Sequence, residues 1–455
     1  MSRITEWCAA AIAIIGPLVA ASALAHAPPE ISRVVWSADG NQMALVTNRG
    51  LIFKNAQSGT WSMMCGAALG TGPVSETEGW DEPEVAYLPD GRLLAATSRG
   101  LLATADSGCT WRTVAPFEGQ ATSALAQHPS EPNTLYVSAS GREGSSIQKS
   151  RDGGATWARE LLLANGEAVT RLLFAPMHPA RVYATLALAG PTGGIHALLR
   201  SADAGASWKR SAIPLLAGER FARLVAVSPR DPERLLVLVS AAARESQVDR
   251  VLVSRDGGET FSDLFASLGL RDAGFGADGA SAWIAGDEAL WQSDASLSEP
   301  TPVGTAQLVT CVGVHAGSLY ACGHHSGFDP PGAGLGVSTN GGQTFQRYMA
   351  FTDVMKRVSC EPSSDAARMC QADWSDWQLE ILVALGGAPI DSVLGDAGTA
   401  VASGTDPTAK PRQRAGAGCT IARSGGAGGG GCLSFVAWAI AFCATTRGPP
   451  RRRAR

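Results

Sequence analysis

The sequence predicts an all-β protein, a single seven-bladed β-propeller of four-stranded antiparallel blades, and three observations lead to that prediction. A short box with the pattern S/T-x-D-x-G-x-T-W/F recurs along most of the 455-residue chain. Its copies lie about 47 residues apart on average, which is the period of four-stranded propeller blades. Between the boxes lie short apolar runs without the 3.6-residue periodicity of helices, so they are predicted to be strands.

Five copies of the box are well preserved, a shortened copy ends at Trp61, and a decayed copy lies at 291–296. Each good copy supplies an aspartate or asparagine, a glycine and an aromatic residue: Asp106, Gly108 and Trp111; Asp152, Gly154 and Trp157; Asp203, Gly205 and Trp208; Asp256, Gly258 and Phe261; Asn340, Gly342 and Phe345. The acid is expected to bind backbone N–H groups of its own turn, the glycine to supply a positive φ, and the aromatic ring to pack in the core. These residues are therefore predicted to be structural rather than catalytic.

The boxes define seven repeat units, each opening on a strand followed by a Pro/Asp or Asp-Gly turn. In chain order the units are 31–61, 83–111, 121–157, 168–208, 219–261, 271–297 and 308–345.

Boxes of this pattern and spacing resemble the Asp-box (BNR) repeat of sialidase-like and sortilin-like β-propellers, over about residues 31–350. The resemblance implies the fold more strongly than any function, because one fold hosts many functions. A sialidase of that type needs an R-I-P motif, an arginine triad and a Tyr–Glu pair. The nearest string, SAIP at 211–214, lacks the arginine, while Tyr136 and Tyr183 fall in repeat strands and are predicted to be core. Xyloglucanase-like relatives use two propellers, whereas this chain has repeats for one.

Both ends of the chain resemble targeting sequences. Residues 1–27 have a basic start, an apolar stretch and an A-x-A site, as in a secretory signal, so the propeller is assigned to 28–385. A Gly/Ala/Pro-rich linker is predicted for 386–418 and a sorting or membrane segment for 419–455. That last segment resembles the C-terminal surface-sorting tails of myxobacteria, which implies that Cys419 is lipidated or processed. Its apolar run, 432–444, is shorter than the roughly 20 residues that span a bilayer.

Six cysteines remain between these two ends, and export makes disulfides permissible. Six cysteines allow 15 pairings. A two-residue turn places Cys311 opposite Cys322, which favours one pair. Proximity along the repeat suggests Cys65–Cys109 between adjacent blades and Cys360–Cys370 across a short loop.

A few polar and aromatic clusters are candidates for binding. The acidic segment between the first two units, if it is more than a solvated loop, offers a sugar or calcium site through Glu76, Glu78, Trp80, Asp81 and Glu82. The string HHSGFD (324–329) offers metal ligands, with a plain polar loop as the alternative. Trp374 and Trp377 would share a helix face and are expected to seal the end of the propeller ahead of a strand or core segment, LEILVAL.

The sequence alone favours an exported, surface-associated, non-catalytic binding or scaffold protein for an unknown protein or glycan ligand. A net charge of −4 argues against a nucleic-acid partner, and the membrane is expected to be contacted only through the tail. No catalytic residue, metal or cofactor is predicted. The alternatives are a carbohydrate-active hydrolase of sialidase-like type and an assembly factor for envelope proteins.

Overall fold

A computed structural model describes residues 29–71, 82–188, 194–241, 248–279, 281–323 and 333–384, which form a seven-bladed propeller. Each blade is an antiparallel sheet of four consecutive strands. Blades 1 to 4 contain β1(Ile31–Trp36), β2(Met43–Thr47), β3(Gly50–Lys54), β4(Trp61–Cys65); β5(Glu84–Tyr87), β6(Leu93–Thr97), β7(Gly100–Thr104), β8(Arg112–Thr113); β9(Ala121–Gln127), β10(Leu135–Gly141), β11(Gly144–Ser150), β12(Ala158–Leu162); β13(Glu167–Phe174), β14(Val182–Leu188), β15(Ile195–Ser201), β16(Lys209–Ala212). Blades 5 to 7 contain β17(Glu219–Val227), β18(Leu235–Ala241), β19(Asp249–Ser254), β20(Ser262–Ser267); β21(Leu270–Phe275), β22(Ala282–Gly286), β23(Leu290–Ser293), β24(Thr301–Pro302); β25(Val309–His315), β26(Ser318–Gly323), β27(Ala333–Ser338), β28(Gln346–Ala350).

The first strands of the seven blades contact one another in order and close a ring, because β25 also contacts β1. They therefore line the central channel. The middle two strands of each blade are the most deeply buried, as in β18, where every residue is buried, whereas the fourth strands, such as β12, are largely exposed. This gradient explains why apolar runs mark the middle strands so clearly in the sequence. The predicted units are confirmed as blades, although they omitted the fourth strands, which begin at Trp61 in blade 1 and after the box in the other blades.

The boxes form the turns between third and fourth strands. In the third blade the Ser150 hydroxyl and the Thr156 backbone N–H both donate to Asp152 Oδ1, at 2.8 and 2.9 Å. Gly154 has a φ of 84° and donates its N–H to Ser150 Oγ. Asn340 accepts the same two bonds in the seventh blade, from Ser338 and Thr344. The box acids are thus occupied by local hydrogen bonds.

Cationic side chains connect one blade to the box of the next. Arg92 in blade 2 donates to the Gly153 carbonyl in blade 3 at 3.1 Å. Lys149 in blade 3 donates to the Ala204 carbonyl in blade 4 at 2.9 Å, and Arg200 in blade 4 donates to the Asp256 carbonyl in blade 5 at 3.0 Å. Each of these blades therefore holds the turn of its successor.

The ring is fastened by the segment that follows blade 7. A short 3-10 helix, Phe351–Asp353, leads into β29(Val354–Arg357), which pairs in parallel with β4 at the outer edge of blade 1. Helix α2(Asp365–Ala384) then packs on β4 and on the four-residue helix α1(Gly66–Leu69). We call residues 351–384 the clasp.

Two disulfides join the clasp to the ring, and they correct two predicted pairs. Cys65 at the end of β4 bonds to Cys370 in α2, and Cys109 in the second box bonds to Cys360. The pairs Cys65–Cys109 and Cys360–Cys370 are wrong because ring closure brings the clasp against blades 1 and 2. Cys311 and Cys322 face each other in the β25–β26 register and form the third disulfide, as the sequence predicted.

The clasp also corrects the strand option for LEILVAL (379–385), because α2 continues as a helix to Ala384, while the core option is supported at Ile381, which is buried. Trp377 is buried, with its ring 5.8 Å from that of Phe351. Trp377 and Phe351 belong to a hydrophobic cluster that also contains Met63 of blade 1, and Trp374 is partly buried against that cluster. Both tryptophans therefore anchor the clasp to blade 1.

Candidate active site in the central channel

One level of the channel carries most of its charge. The register places one residue of each first strand opposite the fourth residue of its second strand. Five of these seven residues are charged, and we call them the charged layer: Arg33, Glu84, Arg171, Arg223 and Asp272. Blade 3 supplies Ala124 at the same level, and in blade 7, where β26 begins one residue earlier relative to the box, Cys311 takes this position.

Ion pairs show that three of these side chains, Arg33, Glu84 and Arg171, point into the channel. Arg171 Nη1 of blade 4 donates to Glu84 Oε1 of blade 2, although the two blades are not adjacent. Arg33 of blade 1 brings Nη1 to 2.6 Å from Glu84 Oε2, in an approach that is not aligned as a hydrogen bond. Contact between non-adjacent blades is possible only across the channel. The three side chains are 13 to 18% exposed, so the pairs are largely shielded from water.

The two carboxyl groups of the layer experience opposite environments. Burial alone raises the pKa of Glu84, but Arg171, Arg33 and Arg223 together outweigh it and hold the pKa below its usual value. Burial also raises the pKa of Asp272, and there it outweighs Arg223, the hydrogen bond from Val312 N–H and Arg171. The layer therefore holds one carboxylate that stays ionised and one carboxyl group that retains its proton more readily.

The guanidinium groups crowd one another. Burial and the neighbouring charge of Arg171 lower the pKa of Arg33 to about 10, against the opposing effect of Glu84. Arg223 donates Nη2 to the Arg271 carbonyl at 3.1 Å. Arg271 itself pairs with Asp287 at 2.8 Å, so its own charge is compensated.

Only part of the predicted acidic cluster can be placed. Glu82 lies two residues before β5, close enough to raise the pKa of Arg33, so it borders the charged layer. Glu76, Glu78, Trp80 and Asp81 lie outside the described residues, as do His324, His325, Asp329 and Cys419. Across the segments that the structure describes, no group of three or more His, Cys, Asp or Glu side chains is arranged to hold a metal.

The two repeat-strand tyrosines are buried and occupied. Tyr136 donates its hydroxyl to the Ala204 carbonyl, and Tyr183 donates to the Pro232 carbonyl at 2.7 Å. Neither is available as a nucleophile, so the charged layer is the strongest candidate site. Sequence reasoning missed the layer, although aligning the repeats on the turn after each first strand would have revealed the recurring charged position.

Part of the chain is similar to a curated xyloglucanase. No family model matches the chain. A probable oligoxyloglucan-reducing end-specific xyloglucanase of Neosartorya fischeri is 28% identical over 140 residues, covering 28% of this chain and 16% of the relative. The chain thus spans about a sixth of the curated relative that it matches.

Solved propellers are similar at low identity. The GH74 enzyme of Niastella koreensis is 15% identical with a TM-score of 0.43, over 70% of this chain and 58% of the enzyme. The Dos1 propeller is 13% identical with a TM-score of 0.46, over 72% of this chain and 85% of that one.

The sequence similarity corrects the expected function. The curated relative is named a xyloglucanase, which is a hydrolase, so the expectation of a non-catalytic binding or scaffold protein is wrong. The hydrolase alternative is the better supported one. The comparison gives no support to the assembly-factor alternative.

Proposed function

We propose that the protein is a glycoside hydrolase whose active site is the charged layer of the channel. One observation carries the proposal: Glu84 and Asp272 share a buried layer, and their environments move their pKa values in opposite directions. Glycoside hydrolysis uses such a pair, one carboxyl group donating a proton and one carboxylate acting in its ionised form.

The different environments of Asp272 and Glu84 assign a catalytic role to each carboxyl group. Asp272 keeps its proton to higher pH than an ordinary aspartate, so it is the general acid that protonates the departing glycosidic oxygen. Glu84 remains ionised between two guanidinium groups, so it is the base that activates water or the carboxylate that stabilises the positive charge developing on the sugar. Burial of the layer strengthens both electrostatic effects relative to water.

The shape of the site defines the mode of attack. The layer is enclosed by a ring of seven first strands, so a glycan reaches it along the channel axis rather than from the side. An oligosaccharide therefore enters by a chain end. The name of the curated relative supports xyloglucan-type oligosaccharides as the first substrates to test.

The test measures release of reducing ends from a panel of neutral and acidic oligosaccharides by the wild type, Asp272→Asn and Glu84→Gln. Loss of a positioned general acid or base typically lowers the rate about 10²- to 10⁴-fold, and we expect losses in that range. The control is Glu259→Gln, because this exposed box-loop carboxylate lies away from the channel. Wild-type turnover by Asp272→Asn, or no turnover of any glycan by the wild type, contradicts the proposal.

We also propose that the protein acts outside the cytoplasm, tethered through 419–455. The three disulfides are compatible with export. Within the described segments, no helix has the length and apolar character to cross a bilayer. Fractionation after deletion of 419–455 tests the tether: release into the medium is expected, and unchanged envelope retention contradicts it.

A further inference from the structure

Arg223 differs from the other two arginines of the charged layer. Arg33 and Arg171 both reach the Glu84 carboxylate. Among the described residues, no carboxylate oxygen lies within 4.0 Å of the Arg223 guanidinium, whose one hydrogen bond there goes to the neutral Arg271 carbonyl. A largely enclosed guanidinium without a carboxylate partner is a ready site for an anion.

Arg223 interacts electrostatically with Glu84 and Asp272 but forms no direct ion pair with either. Asp272 lies on the neighbouring first strand, β21, and its electrostatic interaction with Arg223 is not a direct ion pair within 4.0 Å. The Asp272 carboxylate is instead engaged by Val312 N–H at 3.2 Å. Arg33 and Arg171 share the Glu84 carboxylate, whereas Arg223 has no carboxylate of its own within ion-pair distance among the described residues.

From this arrangement we infer that the substrate is an acidic glycan whose carboxylate, as in a uronic acid residue, pairs with Arg223 beside the reacting bond. This inference deepens the proposed function and rests on it for the reaction. A bidentate Arg–carboxylate pair fixes both the position and the orientation of the sugar ring. It would hold the scissile bond within the layer, where Asp272 of β21 and Glu84 of β5 lie on first strands three blades apart in the same ring.

The inference departs from what the curated relative suggests, since a xyloglucan-type substrate carries no charge of this kind. The difference is a direct prediction of specificity. In a low-dielectric channel, a guanidinium that must be desolvated without a partner disfavours a neutral ligand. The same guanidinium favours a ligand that brings a carboxylate.

The experiment compares matched ligands that differ in one charge. Oligosaccharides containing uronic acid are prepared together with the same oligosaccharides whose carboxyl groups have been reduced to alcohols. Binding is measured by calorimetry with Asp272→Asn, which slows turnover, and hydrolysis is measured with the wild type. We expect at least tenfold tighter binding of the acidic member, with a preference that weakens as ionic strength rises.

Variants at position 223 identify the group responsible. Arg223→Met is expected to abolish the preference, by weakening binding of the acidic member and relieving the desolvation penalty on the reduced member, and Arg223→Lys is expected to restore part of the preference. Arg230→Met is the matched control, because Arg230 is an exposed arginine in the β17–β18 turn of the same blade. Thermal unfolding of each variant verifies that it is folded.

The outcomes separate the two proposals. Turnover of neutral oligosaccharides without any preference for the acidic member overturns the inference and leaves the hydrolase proposal standing. Tight, Arg223-dependent binding of the acidic member without turnover supports the inference and overturns the hydrolase proposal. A preference that survives Arg223→Met overturns the assignment to Arg223.

Discussion

The clasp disulfides permit a prediction whose magnitude follows from the way the two bonds are nested. Cys65–Cys370 spans 305 residues and Cys109–Cys360 spans 251. While one bond is intact, the other closes a loop of only about 54 residues, the difference between the two spans. Chain-entropy arguments give about 4 kcal/mol for such a loop and about 5.5 kcal/mol for the 251-residue loop alone.

The perturbation is removal of each bond by paired Cys→Ser substitution. Either pair removed alone should lower the free energy of unfolding by about 4 kcal/mol, and the second removal should cost about 1.4 kcal/mol more than the first. The reason is that the first removal leaves a long loop still closed, whereas the second opens it. Urea unfolding of the three variants measures these differences.

The third disulfide, Cys311–Cys322, provides the control for the two clasp disulfides. Replacing Cys311 and Cys322 opens an 11-residue loop, so it should cost about 3 kcal/mol independently of the clasp. If the local pairs Cys65–Cys109 and Cys360–Cys370 were present instead, their losses would be additive, and the short loop would cost only about 2.7 kcal/mol. Additive losses, or a non-reduced peptide map with those local pairs, would refute the nested arrangement.

Three further predictions concern single side chains. Because burial raises the pKa of Asp272, its ionised form destabilises the fold as pH rises through that value, so Asp272→Asn should raise the Tm at pH 7 while abolishing turnover. His196 is buried and bridges blades 4 and 5 through the Arg220 carbonyl at 2.7 Å and Ala222 N–H at 3.3 Å. Burial lowers the pKa of His196. The contribution of neutral His196 to the stability of the fold is therefore complete above about pH 6.5, the usual pKa of histidine, and is lost as the pH falls below that value. The drop in Tm between pH 7.5 and pH 5 should be smaller in His196→Gln than in the wild type. Asp203→Ala should lower the Tm without altering turnover, because Asp203 accepts bonds only within its own box; a loss of turnover in folded protein would contradict that structural role.

The blades could be predicted from the sequence because each box forms from residues that are close together in the chain. A box such as Asp152 to Trp157 forms from residues within one turn, so its hydrogen bonds are specified wherever the pattern occurs. Periodic spacing then fixes the number of blades. Even the decayed copy keeps its acid, since Asp294 accepts the backbone N–H groups of Ser296 and Ser298.

The clasp contacts and the charged layer form only when the ring closes, so no local sequence pattern predicts them. Cys360 meets Cys109 only after seven blades have brought the end of the chain back to its beginning. Glu84 meets Arg171 only across the channel, 87 residues away in sequence. Such residues look like ordinary polar positions of strands until the ring places them together. Their shared register was readable from the repeats, but their mutual contact was not.

The placement of β29 has a consequence for the order in which the protein is built. Every blade is completed by its own four strands, so blades can form one after another as the chain is made. The outer edge of β4, however, stays unpaired until residues 354–357 arrive, some 290 residues later. An open edge strand invites pairing with another chain. Arrival of the clasp, rather than of the last blade, therefore covers this edge, and a chain that ends before the clasp exposes a strand edge on which other chains can pair.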